Sequence, residues 1–207
     1  MKLWPLFSTP VVEDNFECDI DINYIVNQIQ YKTYKDKNSG GRGSINQSIL
    51  LEKEFEDLRN KIESRLSYFL YSILKFSQGN IKHASSWINW HSQGDWAELH
   101  AHENSVYSGI YYIKCHENCG RLWFHHPYAI PTFSSHTIQP EISEFDIYNS
   151  KRFFFDPKDG DLILFPSHLE HKTEKNLSGE DRICLAFNYF IEGEMGSSTN
   201  KINCKVS

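Results

Sequence analysis

The residues best suited to chemistry are two histidines, His100 and His102, which precede the strand-like run "YSGIYYI" at 107–113. Side chains at positions i and i+2 of a strand point to the same face, so the two imidazoles are predicted to converge. Glu98 falls on the same face and completes the pattern E-x-H-x-H. This spacing favours a metal chelate, because imidazole is a common ligand of transition metals. The alternative is a pair of polar residues that face solvent.

A second group of candidates follows the apolar run "GDLILFP" at 160–166. His171 is the strongest candidate for a third metal ligand, whereas His168 is interpreted as a solvent-facing loop residue. Arg182 then opens the apolar run "RICLAFNYF". Because an unpaired charge is costly to bury, this guanidinium either extends to water or donates two hydrogen bonds to a small-molecule carboxylate.

The candidates lie among short aromatic or β-branched runs separated by Gly, Pro, Asn and Asp, which predict antiparallel strands of a sandwich or barrel. These runs are "SSWINWHS" (85–92), "SGIYYIK" (108–114), "GRLWFHH" (120–126), "KRFFFDP" (151–157), "GDLILFPS" (160–167) and "RICLAFNYF" (182–190). We expect this sheet structure to carry the candidate ligands.

The residues before the strands predict helices. Apolar spacing over 21–30, with Asp19 or Asp21 as N-cap, indicates a short helix. A longer amphipathic helix is predicted from Leu51 to Phe76, ending at Gly79 and packing against the sheet rather than in a coiled coil. The glycine-rich residues 35–44 between the helices predict a loop.

These patterns predict a single α+β domain over residues 1–192. Helical support is assigned to 20–79, the β core to 84–191, and a flexible polar tail to 193–207. The long connection 127–150 is predicted to carry function as a lid or substrate wall.

Composition excludes several classes of protein. The 207 residues are 40% hydrophobic and 23% charged, which is ordinary globular usage. A formal net charge of −6 argues against nucleic-acid binding. No apolar run reaches the roughly 20 residues that cross a bilayer, which predicts a soluble cytoplasmic protein without a membrane partner. Five dispersed cysteines predict free thiols, and Cys115 and Cys119 are interpreted as a polar hairpin tip rather than a zinc site.

From Trp87 to Phe190 the chain resembles the 2-oxoglutarate- and Fe(II)-dependent oxygenases, in particular the small oxygenases of bacteria and phages. The resemblance covers half of the chain, and six blocks agree in order and spacing. The blocks are Trp87 with Asn89, Gly94, His100 with His102, "SGIYY" at 108–112, "PKDGDLILFPSHLEH" at 157–171 and "RICLAFN" at 182–188. Residues 3–12, "LWPLFSTPVV", also resemble the opening strand of that group.

The resemblance implies a double-stranded β-helix, a cupin-like jelly roll, braced by the N-terminal helices. It implies that Fe(II) is held by His100, His102 and His171, and that Arg182 and Tyr112 bind the distal carboxylate of the co-substrate 2-oxoglutarate. His102 occupies the position where the larger family has a carboxylate. Glu98 or water is the alternative at that position.

The implied activity is that of a dioxygenase that hydroxylates a substrate and releases succinate and CO₂. Within the same fold, the alternative is a cupin-type metal protein that does not use 2-oxoglutarate, although it would leave Arg182 without a role. A structural or binding protein without catalysis is a further alternative. The run Phe153 to Phe155 is either a substrate wall or packing surface. The sequence identifies neither the primary substrate nor whether the chain forms a homo-oligomer.

Overall fold

The computed structural model of the protein describes residues 1–4, 8–34, 40–126 and 140–206. Antiparallel strands dominate these ranges, as the aromatic and β-branched runs predict. The strands are β1 (Val12–Asn15), β2 (Tyr31–Thr33), β3 (Arg42–Ser44), β4 (Asn80–His91), β5 (Ala97–His100), β6 (Tyr107–Lys114), β7 (Leu122–His125), β8 (Arg152–Phe155), β9 (Asp161–Pro166), β10 (His171–Thr173), β11 (Arg182–Met195) and β12 (Ile202–Cys204).

The strands form two sheets. The larger sheet has the order β1-β9-β6-β11-β4-β3-β2, with β12 paired to the end of β11. The smaller sheet has the order β5-β10-β7-β8. This arrangement, with helices on one side, confirms the predicted α+β double-stranded β-helix.

Alternation along each strand gives the larger sheet two different faces. We call the face that packs on the helices the outer face; on β11 it carries Leu185 and Phe187, which belong to a cluster that also contains Leu58. We call the opposite face the inner face; on β11 it carries Cys184, which clusters with Phe124 of the smaller sheet. The face on which a candidate site residue lies therefore decides whether it meets the helices or the smaller sheet.

The helical segments partly match their prediction. Helix α1 (Ile22–Asn27) starts at the predicted N-cap, where the Asp21 carboxylate accepts a hydrogen bond from the Asn23 N–H at 2.8 Å. The predicted long helix is interrupted, because 3₁₀ turns at Ile49–Leu51 and Lys53–Phe55 precede helix α2 (Glu56–Ser67) and a π-helical turn follows at Tyr68–Ile73.

The π turn continues the buried face of α2. Phe69 and Leu70 are almost fully or fully buried and follow Leu66 by three and four residues, which is the spacing of one apolar helix face. The turn is wider than an α-helical one because the Leu74 N–H donates to the Phe69 carbonyl, five residues earlier, at 2.9 Å. The predicted packing of this segment against the sheet is confirmed.

Three local predictions are corrected by strand pairing. Part of the predicted loop 35–44 is strand β3, in which Arg42 pairs with Trp90 of β4; residues 35–39 lie outside the described residues. The tail expected to be flexible from 193 continues β11 and turns back as β12, where Gly193 pairs with Cys204. The opening strand expected within 3–12 begins at Val12, and residues 5–7 are outside the described ranges.

The cysteine prediction is wrong for one pair. Cys115 and Cys119 are joined by a disulfide, whereas Cys18, Cys184 and Cys204 are free. In the ranges covered by the structure, the helices are too short or too polar to span a membrane.

Candidate active site

The smaller sheet brings the candidate metal ligands together. His171 of β10 pairs directly with His100 of β5. His102 lies two residues beyond the end of β5, in a loop that is anchored by its own N–H to the Ser167 carbonyl at 2.9 Å. The prediction that both histidines share one strand is therefore wrong in detail, although their rings still converge. One nitrogen from each of the three imidazoles lies within 4.8 Å of the others.

Backbone carbonyls set the orientation of two of these rings. The Nδ1 of His171 lies 2.9 Å from the Leu169 carbonyl, and the Nδ1 of His100 lies 2.6 Å from the Glu98 carbonyl. A carbonyl only accepts, so each Nδ1 carries a proton, which leaves Nε2 as the ring nitrogen available to a metal. The Nε2 atoms of His102 and His171 are 3.2 Å apart. Two ligands at right angles, with metal bonds of about 2.1 Å, are separated by about 3 Å.

Burial keeps the two inner imidazoles neutral. Burial, together with the neighbouring His100, lowers the pKa of His171 to about 3 and that of His102 to about 4. His171 is almost fully buried, His102 is half-buried and His100 is exposed. Neutral imidazole is the form that binds a metal, so the site is ready for one at neutral pH.

The cluster contains no carboxylate in the part of the chain that the structure describes. The proposed alternative ligand, Glu98, is exposed, and its side chain is not among the grouped atoms. His168 is exposed, as predicted for a loop residue. Three nitrogen ligands would leave the charge of a bound divalent metal uncompensated by the protein.

Arg182 is turned inward and is 1% exposed. Its Nη1 donates to the carbonyls of Cys119 at 2.7 Å and Gly120 at 3.2 Å. Its Nη2 donates to Thr173 Oγ1 at 3.0 Å and to the Nδ1 of His91. All four acceptors are uncharged, and Arg182 forms no ion pair with any described residue. This charge is therefore buried without an anion.

Tyr112 lies on the inner face of β6, where it is paired with Cys184 of the strand that begins at Arg182. Its hydroxyl is buried without a hydrogen-bond partner among the described residues, as are Trp90 Nε1 and His125 Nε2. Burial raises the pKa of Tyr112, and the positive charge of nearby Arg182 opposes that rise. The Nε–H of Arg182 also has no acceptor among the described residues. Two unpartnered donors therefore lie close together on the inner face.

The positions along β10 relate the arginine to the histidines. Thr173, which accepts from Arg182, lies two residues after His171 and on the same face of β10. Two residues of a strand span about 7 Å. The histidine cluster and the residue that accepts from the guanidinium are thus neighbours on one face of β10.

A cleft of about 550 Å³ reaches His100 and His91. Its walls include Tyr34, Trp87, Asn89, His91 and Trp96. The Asn89 amide oxygen accepts from Tyr34 at 3.2 Å and from Trp87 Nε1 at 3.0 Å, which leaves the amide N–H₂ as the available donor.

Two other regions were candidate substrate walls. Phe155 packs in the interior cluster, whereas Phe153 and Phe154 are exposed, so this run is divided between core and surface. Most of the predicted lid, residues 127–139, lies outside the described residues.

Sequence reasoning missed the partners of Arg182. His91 could have been found from its spacing, since it continues the alternation Trp87, Asn89 along β4. The carbonyls of Cys119 and Gly120 have no side-chain signal and become visible only in the fold.

Comparisons with known proteins identify the family of the chain. The family model described as "Putative 2OG-Fe(II) oxygenase" matches residues 85–188, just over half of the chain. No curated protein matches the sequence.

Solved structures show the same fold at low identity. An oxidoreductase of the 2OG-Fe(II) oxygenase family from Burkholderia pseudomallei is 11% identical, with a TM-score of 0.56 over 82% of this chain and 76% of that chain. A Pseudomonas putida prolyl-4-hydroxylase is 12% identical, with a TM-score of 0.57 over 91% and 96% of the two chains. HygX from Streptomyces hygroscopicus, solved with nickel and 2-oxoglutarate bound, is 10% identical, with a TM-score of 0.55 over 88% and 83%.

Proposed function

Because this chain belongs to the 2OG-Fe(II) oxygenase family, whose enzymes depend on Fe(II) and 2-oxoglutarate, we propose that it hydroxylates an organic substrate. In the net reaction, 2-oxoglutarate and O₂ are consumed, the substrate gains a hydroxyl group, and succinate and CO₂ are released. The observation that carries the proposal is the buried, anion-free Arg182 beside a cluster of three imidazoles.

His100, His102 and His171 are the proposed iron ligands. Their ring nitrogens are close together and, in two of the three rings, oriented by backbone carbonyls. Non-haem Fe(II) sites of this kind use few protein ligands and leave other positions open. The absence of a carboxylate in the described cluster supports His102 as the third ligand rather than Glu98.

Arg182 and Tyr112 are the proposed partners of the distal carboxylate of 2-oxoglutarate. A carboxylate here would neutralise the buried guanidinium and accept from the unpartnered Nε–H and Tyr112 hydroxyl. The alternative, a cupin-type metal protein that does not use 2-oxoglutarate, would leave the buried charge of Arg182 without an anion to bind.

Iron and 2-oxoglutarate, when bound, supply the oxygen-dependent redox chemistry of this family, while the protein positions them and the substrate. We propose that the primary substrate enters the cleft beside His100, where Trp87 and Trp96 offer apolar contact and Asn89 offers a donor. The cleft volume is within the range typical of small-molecule sites.

The test combines binding with product analysis. Fe(II) is titrated anaerobically into the protein with 2-oxoglutarate present, and visible charge-transfer absorption is recorded. We expect absorption that requires both components, and slow succinate release once air is admitted. Arg182→Ala should weaken 2-oxoglutarate binding by about tenfold to a hundredfold or more, since a charged hydrogen bond worth about 1.5–3 kcal/mol is lost.

Metal binding that is indifferent to 2-oxoglutarate would contradict the proposal and favour a cupin-type protein. Failure to bind any metal would favour a structural role. Unchanged 2-oxoglutarate affinity in Arg182→Ala would remove Arg182 from the site.

A further inference from the structure

The fourth acceptor of Arg182 is a histidine that the proposed reaction does not use. His91 is directly opposite Arg182 in the pairing of β4 with β11, and it is 3% exposed. The guanidinium has only donors, so the Nδ1 of His91 must present a lone pair to Nη2 and the ring must be neutral. Burial and the charge of Arg182 both lower the pKa of His91, to about 3, in agreement with a neutral ring.

The His91 ring is held on its other side by the β2–β3 hairpin. A Cβ at position 41 would lie 2.4 Å from Cδ2 of the ring, so only glycine fits there, and Gly41 also has a φ of +101°. The ring therefore cannot move toward the hairpin without displacing backbone. His91 is a fixed acceptor rather than a mobile one.

The anchoring of Arg182 determines which of its donors can meet a ligand. Both N–H groups of Nη1 point to carbonyls, and both N–H groups of Nη2 are taken by His91 and Thr173. Because the guanidinium is planar and rigid, fixing these four directions also fixes the direction of Nε–H. The donor left over is on the same face as the unpartnered Tyr112 hydroxyl.

We propose that His91 is a positioning residue that orients Arg182 for the distal carboxylate of the co-substrate. This inference rests on the proposed function, since it assumes that Arg182 binds 2-oxoglutarate. His91 also lines the cleft beside His100, so the same ring contacts the substrate space and the co-substrate arginine.

The test measures ligand binding to the nickel-loaded protein by calorimetry, which does not depend on turnover. His91→Phe keeps a ring but removes the acceptor, and we expect the dissociation constant for 2-oxoglutarate to rise at least about tenfold. His91→Asn keeps an acceptor oxygen near the Nδ1 position and should retain most of the wild-type affinity for 2-oxoglutarate. His91→Gln moves the amide one carbon further out and should behave like the phenylalanine variant.

A second ligand separates positioning from general damage. 2-Oxobutyrate has the same 2-oxo acid end but no distal carboxylate, so its affinity should be equal in the wild type and His91→Phe. Equal losses for both ligands would mean that the substitution disturbs the metal site, which would overturn the inference.

His83 provides a matched control on the same strand. It is half-buried, bonds to Ser86 Oγ at 2.9 Å and contacts the Tyr189 ring, and none of its contacts involves Arg182. His83→Phe should leave 2-oxoglutarate affinity unchanged.

The possible failures are distinguishable. A wild-type protein that binds no 2-oxoglutarate overturns both the proposed function and this inference. Wild-type binding that is unaltered or tightened in His91→Phe overturns the inference alone, because tightening would mean that His91 competes with the ligand for Arg182.

Discussion

The two faces of the larger sheet use buried residues in opposite ways. On the outer face, Leu185 and Phe187 belong to the same buried cluster as Leu58 of α2, and the hydroxyl of buried Tyr189 donates to Glu63 at 2.9 Å. On the inner face, buried Tyr112 has no hydrogen-bond partner and buried Arg182 has no anion among the described residues. Among the described buried side chains of the outer face only the Trp90 Nε1–H lacks a partner, whereas the inner face combines an unpartnered hydroxyl with a charge that a ligand would satisfy.

The difference has an energetic meaning. Unpartnered buried polar groups reduce stability, because they lose their contacts with water and gain nothing in return. A protein keeps such groups where function requires them. Substitutions on the outer face should therefore change folding, and substitutions on the inner face should change binding.

The largest expected effect is the loss of metal binding in His171→Ala. Removing a metal ligand should lower metal affinity by more than the roughly 10–100-fold loss that follows mutation of a residue hydrogen-bonded to a ligand. Nickel or Fe(II) titration of the purified variant measures the effect. His168→Ala is the control and should bind metal normally; the reverse pattern would reassign the distal ligand.

Leu58→Ala should cost ~2–5 kcal/mol of unfolding free energy, because this fully buried side chain leaves a cavity under the sheet. Urea unfolding of the metal-free protein measures the loss. Nickel affinity of the folded fraction should not change, and a parallel loss of metal affinity would show that the two faces are not independent. Leu51→Ala, at a side chain that is 51% exposed, should cost less than about 0.5 kcal/mol.

Tyr189 on the outer face and Tyr112 on the inner face allow the two faces to be compared by the same substitution, the loss of one hydroxyl group. Tyr189→Phe removes a hydroxyl that has a partner and should lower stability by about 1 kcal/mol. Tyr112→Phe removes a hydroxyl that has no hydrogen-bond partner among the described residues, so the stability of the ligand-free protein should stay the same or rise. The same variant should bind 2-oxoglutarate several-fold more weakly. A stability loss in Tyr112→Phe equal to that of Tyr189→Phe would contradict this distinction.

The smallest expected effect is a dependence of stability on pH through His83. Burial lowers its pKa from 6.5 to about 4, so the unfolded chain takes up a proton at higher pH than the folded one. Its contribution to stability is therefore fully present above pH 6.5 and is lost as pH falls toward 4. Urea unfolding of the metal-free protein at pH 7 and pH 5 should show a smaller drop in His83→Asn than in the wild type. Equal drops would mean that His83 is not protonated differently in the two states.

The candidate site was predictable in part because its main residues have local signals. His100 and His102 were identified by spacing, and Arg182 by being a charge at the start of an apolar strand. The long helix was predicted as continuous because apolar spacing does not distinguish an α-helical turn from a π turn. The β3 strand was missed because it has only three residues, one of them Gly43, and it is defined by its pairing with β2 and β4.

The sequence by itself determined the strand runs, the double-stranded β-helix through its family motifs, and the residues most suited to bind metal and carboxylate. These features depend on alternation and residue type, which are properties of neighbouring positions. Only the tertiary structure decided that Arg182 is held by His91, Thr173 and two carbonyls, and that the histidine group contains no carboxylate. Those contacts join residues far apart in the chain, so they depend on the register between strands, which no local pattern contains.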